Sequence, residues 1–226
     1  MFWRQRASIG DDLKDWIEDS FDWCRDRFGV DWQTSRQLIT ADKTFFTAGA
    51  GHTPEVAQQI ADDIAKLIPV RSIEVQPIAA LDPEYRHSYQ DISSVAGAYL
   101  HDDEVPLINY DPSLMTKPIA FINTMTHELM HDRLASYVDD MPGGEPAHEL
   151  STDLHCTTHG FGLFALDGPA QVGWSGYMTQ ESRAYALATF LDRHDVDPEF
   201  AASRISGRSA KALRRAVAER MRDFAT

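Results

Sequence analysis

From Pro118 to Val138 the chain reads PIAFINTMTHELMHDRLASYV, a run with no glycine and no proline after its first residue. It is too long for a strand and too free of breakers for a loop, so it predicts a helix, and its apolar content predicts a buried one. Residues 127 to 131 within it read HELMH. A helix turns about 100° per residue, so His127 and His131 lie about 40° apart and present two imidazoles on one face. Their ring nitrogens can then reach one cation. Zinc prefers a tetrahedron, and a catalytic site supplies three protein ligands so that water takes the fourth position. Glu128 can aim its carboxylate at that water and accept its proton, which provides a nucleophile at neutral pH.

The bare HExxH pattern recurs in unrelated chains, so the third ligand decides how much it means. Across the Gly- and Pro-rich loop DDMPGGEP, residues 139–146, stands HELSTDL, in which Glu149 and Asp153 are spaced i, i+4 on a predicted helix from His148 to Phe161. The loop lets this second helix fold back so that Glu149 supplies the third ligand. Asp153 then accepts the proton on the far ring nitrogen of His127 and fixes its tautomer. The rival assignment makes Asp153 the third ligand and leaves Glu149 at the rim. Both assignments call for a metal ion, expected to be Zn2+.

HExxH followed by a downstream ExxxD resembles the thermolysin-like zinc metallopeptidases, the gluzincins, over His127 to Asp153. The resemblance implies His127, His131 and Glu149 as ligands, Glu128 as general base and Asp153 as the partner of a ligand histidine. The metzincin pattern fails, because Leu134 and Tyr137 stand where that group has Gly and His. A longer resemblance, carried by HELMH, HELSTDL, GFGLF at 160–164 and GYM with YALA at 176–188, is to a set of small, uncharacterised bacterial zinc-peptidase-like proteins. Thermolysin-like enzymes polarise the substrate oxygen with a His or Tyr from their C-terminal helical region, and Tyr177 is the candidate here, followed by Tyr185. The resemblance also implies that an edge strand before the active-site helix holds an extended peptide by backbone pairing, with Val105 to Tyr110 the strand nominated.

Charge narrows the partners. With 35 acidic against 21 basic residues, a net charge of -14 repels nucleic-acid phosphates and anionic lipid surfaces, so neither is an expected partner. The longest apolar runs are too short to cross a bilayer. The N-terminus turns acidic before any secretory apolar stretch forms, and Cys24 and Cys156 show no CxxC and no disulfide framework. The expected location is the cytoplasm, with both thiols free.

Apolar spacing predicts helices over Ser8 to Phe28 ended by Gly29, from Thr53-Pro54 to Pro69, over 180–194 and over 208–224. Arg36 to Phe46 reads as two short strands around Ala41-Asp42. Further strands are expected at Ser72 to Ile78, Ser94 to Leu100 and Val105 to Tyr110. The expected architecture is a single α+β, zincin-like domain over 1–226. Its residues 1–115 are a mixed half with a small, mostly antiparallel sheet, and its residues 116–226 a helical half carrying the metal site. His148, His155 and His159 share a face turned away from Glu149 and Asp153 and read as solvated or capped residues, with a second metal or a protonation-sensitive face as the alternative. Cys156 and Gly160 fall on the inward face as packing residues, and Trp3, Trp16, Trp23 and Trp32 as core or lid residues, with a partner surface the alternative. The expected function is zinc-dependent hydrolysis of a peptide or amide bond in a peptide or protein substrate. The alternatives are a non-catalytic zinc-binding regulatory or interaction module and a domain without metal.

Overall fold

The computed structural model of the protein describes residues 7–78, 97–100, 107–173 and 176–223. Helix dominates them. Helix α1 (Asp11–Phe28) has Asp11 and Asp12 in its first turn and Arg25 and Arg27 in its last, charges that complement the helix dipole, and Gly29 closes it at φ 94°. A short α2 (Val30–Thr34) follows. Helix α3 (Pro54–Leu67) starts where Thr53 accepts a hydrogen bond from the Val56 amide and Pro54 takes the first position. Strands β1 (Glu74–Pro77), β2 (Gly97–Leu100) and β3 (Leu107–Tyr110) precede α4 (Pro118–Leu134). Helix α5 (His148–Cys156) runs through a π-helical turn at Thr157–Phe161 into α6 (Gly162–Gln171). Helix α7 (Gln180–Arg193), capped by Thr179, then α8 (Pro198–Ala202) and α9 (Gly207–Asp223) complete the chain. No helix among the described residues is long and apolar enough to cross a membrane.

The chain forms two compact units, one of Met1–Leu38, Val138–Leu166 and Tyr177–Thr226, the other of Ile39–Tyr137 and Asp167–Gly176. In the first, Ile17 and Phe21 of α1, Tyr185, Leu187 and Phe190 of α7 and Leu213 of α9 are buried in one apolar core. Alanines at 184, 188, 210 and 216 let α7 and α9 pack closely. Charged groups link these helices: Arg193 meets Glu18 at 2.7 Å, and Arg220 meets Thr189 at 2.7 Å and Asp192 at 3.0 Å.

In the second unit, the strand order is β1-β3-β2, with β1 parallel and β2 antiparallel to β3. Buried Val75, Ile108 and Tyr110 of the sheet join Ile64 of α3 and Phe121 and Met125 of α4, and the Tyr110 and Phe121 rings meet edge to face at 5.4 Å. Buried Asp63 accepts the Thr47 amide at 2.7 Å and ties the loop before α3 to that helix.

Several expectations are overturned. The α+β, zincin-like class with a mostly antiparallel sheet gives way to a largely helical chain with strands four residues long, one pair of them parallel. Apolar alternation marks a strand but carries no information on the direction of its neighbour. Strand β3 lies between its two neighbours, so the stretch nominated as a substrate-binding edge has its ladder groups already paired. Residues 36–46 form turns instead of two strands, because Asp42 captures the local donors: its carboxylate accepts the Thr44 amide at 2.9 Å and its carbonyl the Phe46 amide at 3.0 Å. Trp3, residues 94–96, and Val105 with Pro106 lie outside the described residues.

The packing has testable consequences. Gly168 of α6 stands so close to α4 that an added Cβ would meet Asn123 Cβ at 2.8 Å and the Ile119 carbonyl at 3.1 Å. Gly168→Ala is expected to cost about 1–3 kcal/mol in urea unfolding. His194 stacks on Phe190 with ring centroids 4.1 Å apart, and its burial, reinforced by the Arg193 and Arg36 cations, lowers its pKa from 6.5 to about 4. Its contribution to stability is complete above pH 6.5, where the unfolded chain also keeps the ring neutral, and is lost as pH falls toward 4. The thermal midpoint of His194→Gln should therefore fall less steeply than that of the wild type between pH 6.5 and 4; parallel slopes would contradict this account.

Candidate metal centre

Helix α4 is apolar over nearly its whole circumference, with Phe121, Ile122, Met125, Leu129, Met130 and Leu134 all buried. His127 and Glu128 are buried with them, Glu128 at 4% exposure, while His131 is half-buried one turn further on. The Nε2 atoms of His127 and His131 face each other at 3.2 Å, with the rings at 85° to one another. Two nitrogens each at bonding distance from a tetrahedral zinc ion stand about 3.3 Å apart. The same separation suits an N–H···N hydrogen bond between rings of opposite tautomer.

The third donor bears on that choice. One candidate ligand atom from each of His127, His131 and Glu149 lies within 4.8 Å of the other two. Glu149 enters from the first turn of α5 and is half-buried. Two imidazoles and one carboxylate form a donor set that a borderline cation such as zinc takes. Asp153 does not belong to this group.

Asp153 is instead held within the first unit. It is 3% exposed, and its Oδ2 accepts hydrogen bonds from the Tyr177 amide at 2.6 Å, the Met178 amide at 3.0 Å and Arg183 Nη2 at 2.6 Å. Three donors on one carboxylate oxygen fix its orientation. Tyr177, whose side chain is 51% exposed, is thereby tied through its backbone to the helix that carries Glu149. Tyr185, the second candidate donor, is buried in the core of that unit with Lys14 and Arg220 over its ring, and burial raises its pKa.

Of the three histidines expected on one face, His148 is half-buried, whereas His155 and His159 are not solvated. His155 and His159 are fully buried beside α1: His155 Nδ1 lies 3.3 Å from Cys24 Sγ and 3.1 Å from Thr158 Oγ1, while His159 Nδ1 donates to the His155 carbonyl at 2.9 Å. Their rings pack against Trp23 and Trp32 at 5.4 and 5.0 Å. Both cysteines are free and buried, and Cys156 Sγ bonds the Thr152 carbonyl at 3.3 Å as a packing residue. Gly160 has φ 97° inside the π turn, so the regular helical phase assumed for residues beyond Thr157 does not hold.

Sequence reasoning missed the residues that hold α5 in place. Trp16 Nε1 donates to the Pro142 carbonyl at 2.9 Å and Trp23 Nε1 to Asp140 at 3.1 Å, which pins the loop leading to Glu149. Arg183 was missed as well; its signal is a single cation among apolar positions at helical spacing in SRAYALATFL. Comparisons with protein-family profiles, curated proteins and solved structures find no match.

Proposed function

We propose that the protein is a zinc-dependent hydrolase, a metallopeptidase of the gluzincin type acting on peptide bonds. The observation that supports this most directly is the pair of Nε2 atoms 3.2 Å apart on α4 with Glu149 as third donor. When bound, the ion supplies Lewis acidity, which acidifies a water molecule and polarises the scissile carbonyl. His127 and His131 offer Nε2, so each neutral ring carries its proton on Nδ1. Glu128, buried next to His127, takes the proton of the attacking water and passes it to the leaving amine. Tyr177 hydrogen-bonds the oxygen on which charge develops. The peptide class of substrate rests on the sequence resemblance. The buried, free state of Cys24 and Cys156 fits a cytoplasmic location.

Metal analysis of the purified protein tests the reading. The wild type is expected to hold one zinc per chain and His131→Ala to lose it; equal zinc contents in the two would remove the ligand set. Glu128→Gln should keep the ion and reduce cleavage of a peptide library by about 10²–10⁴-fold. Full zinc with no cleavage by the wild type would favour a non-catalytic binding module instead. Glu149→Ala should weaken zinc binding more than Asp153→Ala.

A further inference from the structure

Where α7 ends, the chain folds back on itself. Asp195 takes φ 52°, in the left-handed region, and the Val196 amide bonds the Leu191 carbonyl at 2.9 Å, so the turn closes α7 before Asp197 caps α8. Between α7, this turn and α9 opens a cleft of about 510 Å³ that lies wholly within the first unit. Leu191, Val196, Pro198, Val217 and Met221 line it, and Met221 is 71% exposed. Clefts of this size, apolar with a few polar groups, are the usual form of a small-molecule site.

The charges at the cleft are unequal. Arg220 is the one cation lining it among the described residues, and it is buried, with Nη1 on Glu18 and on Thr189 and Nη2 on Asp192 at 3.0 Å. Its charge is thus met by the protein's own carboxylates. The Asp192 side chain is still 66% exposed beside that pair, and the Asp195 carboxylate has no ion-pair partner among the described residues. The neighbouring Arg193 is turned to Glu18 and Asp22, at 2.7 Å from each. The last carbonyls of α7 add the negative end of a helix dipole. An apolar lining under a negative rim is complementary to a ligand with an apolar body and one positive end, and it repels carboxylates and phosphates.

We propose that this cleft binds an organic ammonium ion with an apolar body, an arylalkylamine or a long-chain amine, with the ammonium on Asp195 and the hydrocarbon against Val217 and Met221. The proposal does not depend on the zinc reading. Titration of 4-phenylbutylammonium into protein carrying 13C at its methionine methyls tests it, in about 0.15 M salt to screen the general attraction of an acidic chain for cations. The Met221 methyl resonance, identified by its loss in Met221→Leu, should shift saturably. Asp195→Asn should weaken the probe about fivefold, and asparagine accepts the same left-handed backbone. Met221→Lys, which sets a cation at an exposed edge of the cleft and serves if Asp195→Asn does not fold, should weaken it as well when followed by calorimetry. The anion 4-phenylbutyrate should bind at least about tenfold more weakly than the ammonium. No saturable shift, unchanged affinity in both variants, equal binding of 4-phenylbutyrate or of neutral 4-phenylbutanol, or an equal shift with methylammonium would overturn the proposal. So would a Met221 shift on concentrating the protein alone, the sign of a contact between two copies at this face.

Discussion

The arrangement depends on the burial of α4. Imidazoles and a carboxylate placed on a helix that is enclosed over most of its length cannot all turn to water, so they must find partners inside. His127 and His131 face one another, with their nitrogens at a separation close to that imposed by a tetrahedral ion. A solvent-exposed helix with the same HELMH letters would let each ring choose among rotamers. Here Leu129 and Met130, the residues between the two histidine positions, are buried.

The support around Glu149 comes from three directions within one unit. Trp16 and Trp23 hold the preceding loop from α1, while Arg183 holds Asp153 from α7. Gly143, at φ 92° and with Trp16 Nε1 3.3 Å from where its Cβ would be, turns that loop tightly enough for the indole to reach the Pro142 carbonyl. The buried His155, Thr158, His159 and Cys24 side chains hydrogen-bond beside α1 and pack against Trp23, Phe28 and Trp32. The helix bearing Glu149 is therefore oriented by side chains far from it in sequence.

What was legible in the sequence had local causes. Gly29 ends α1, Thr53 and Pro54 open α3, and the breaker-free stretch from Pro118 makes α4, each through contacts within a few residues. The alignment of His127 with His131 followed from helical geometry alone. What was not legible depends on distant partners or on competition. The direction of β1 relative to β3 is set by the path of the chain, the Asp42 turn wins over strand propensity by capturing donors two and four residues away, and the π turn at Gly160 resets the helical phase. Arg183 has no local signature of its acceptors, since Asp153 lies thirty residues before it.

The central position of β3 has a bearing on recognition. In the described sheet only β1 and β2 have a free side, so a second polypeptide could extend the ladder only there, and the strand that runs into the approach to α4 cannot serve as a template.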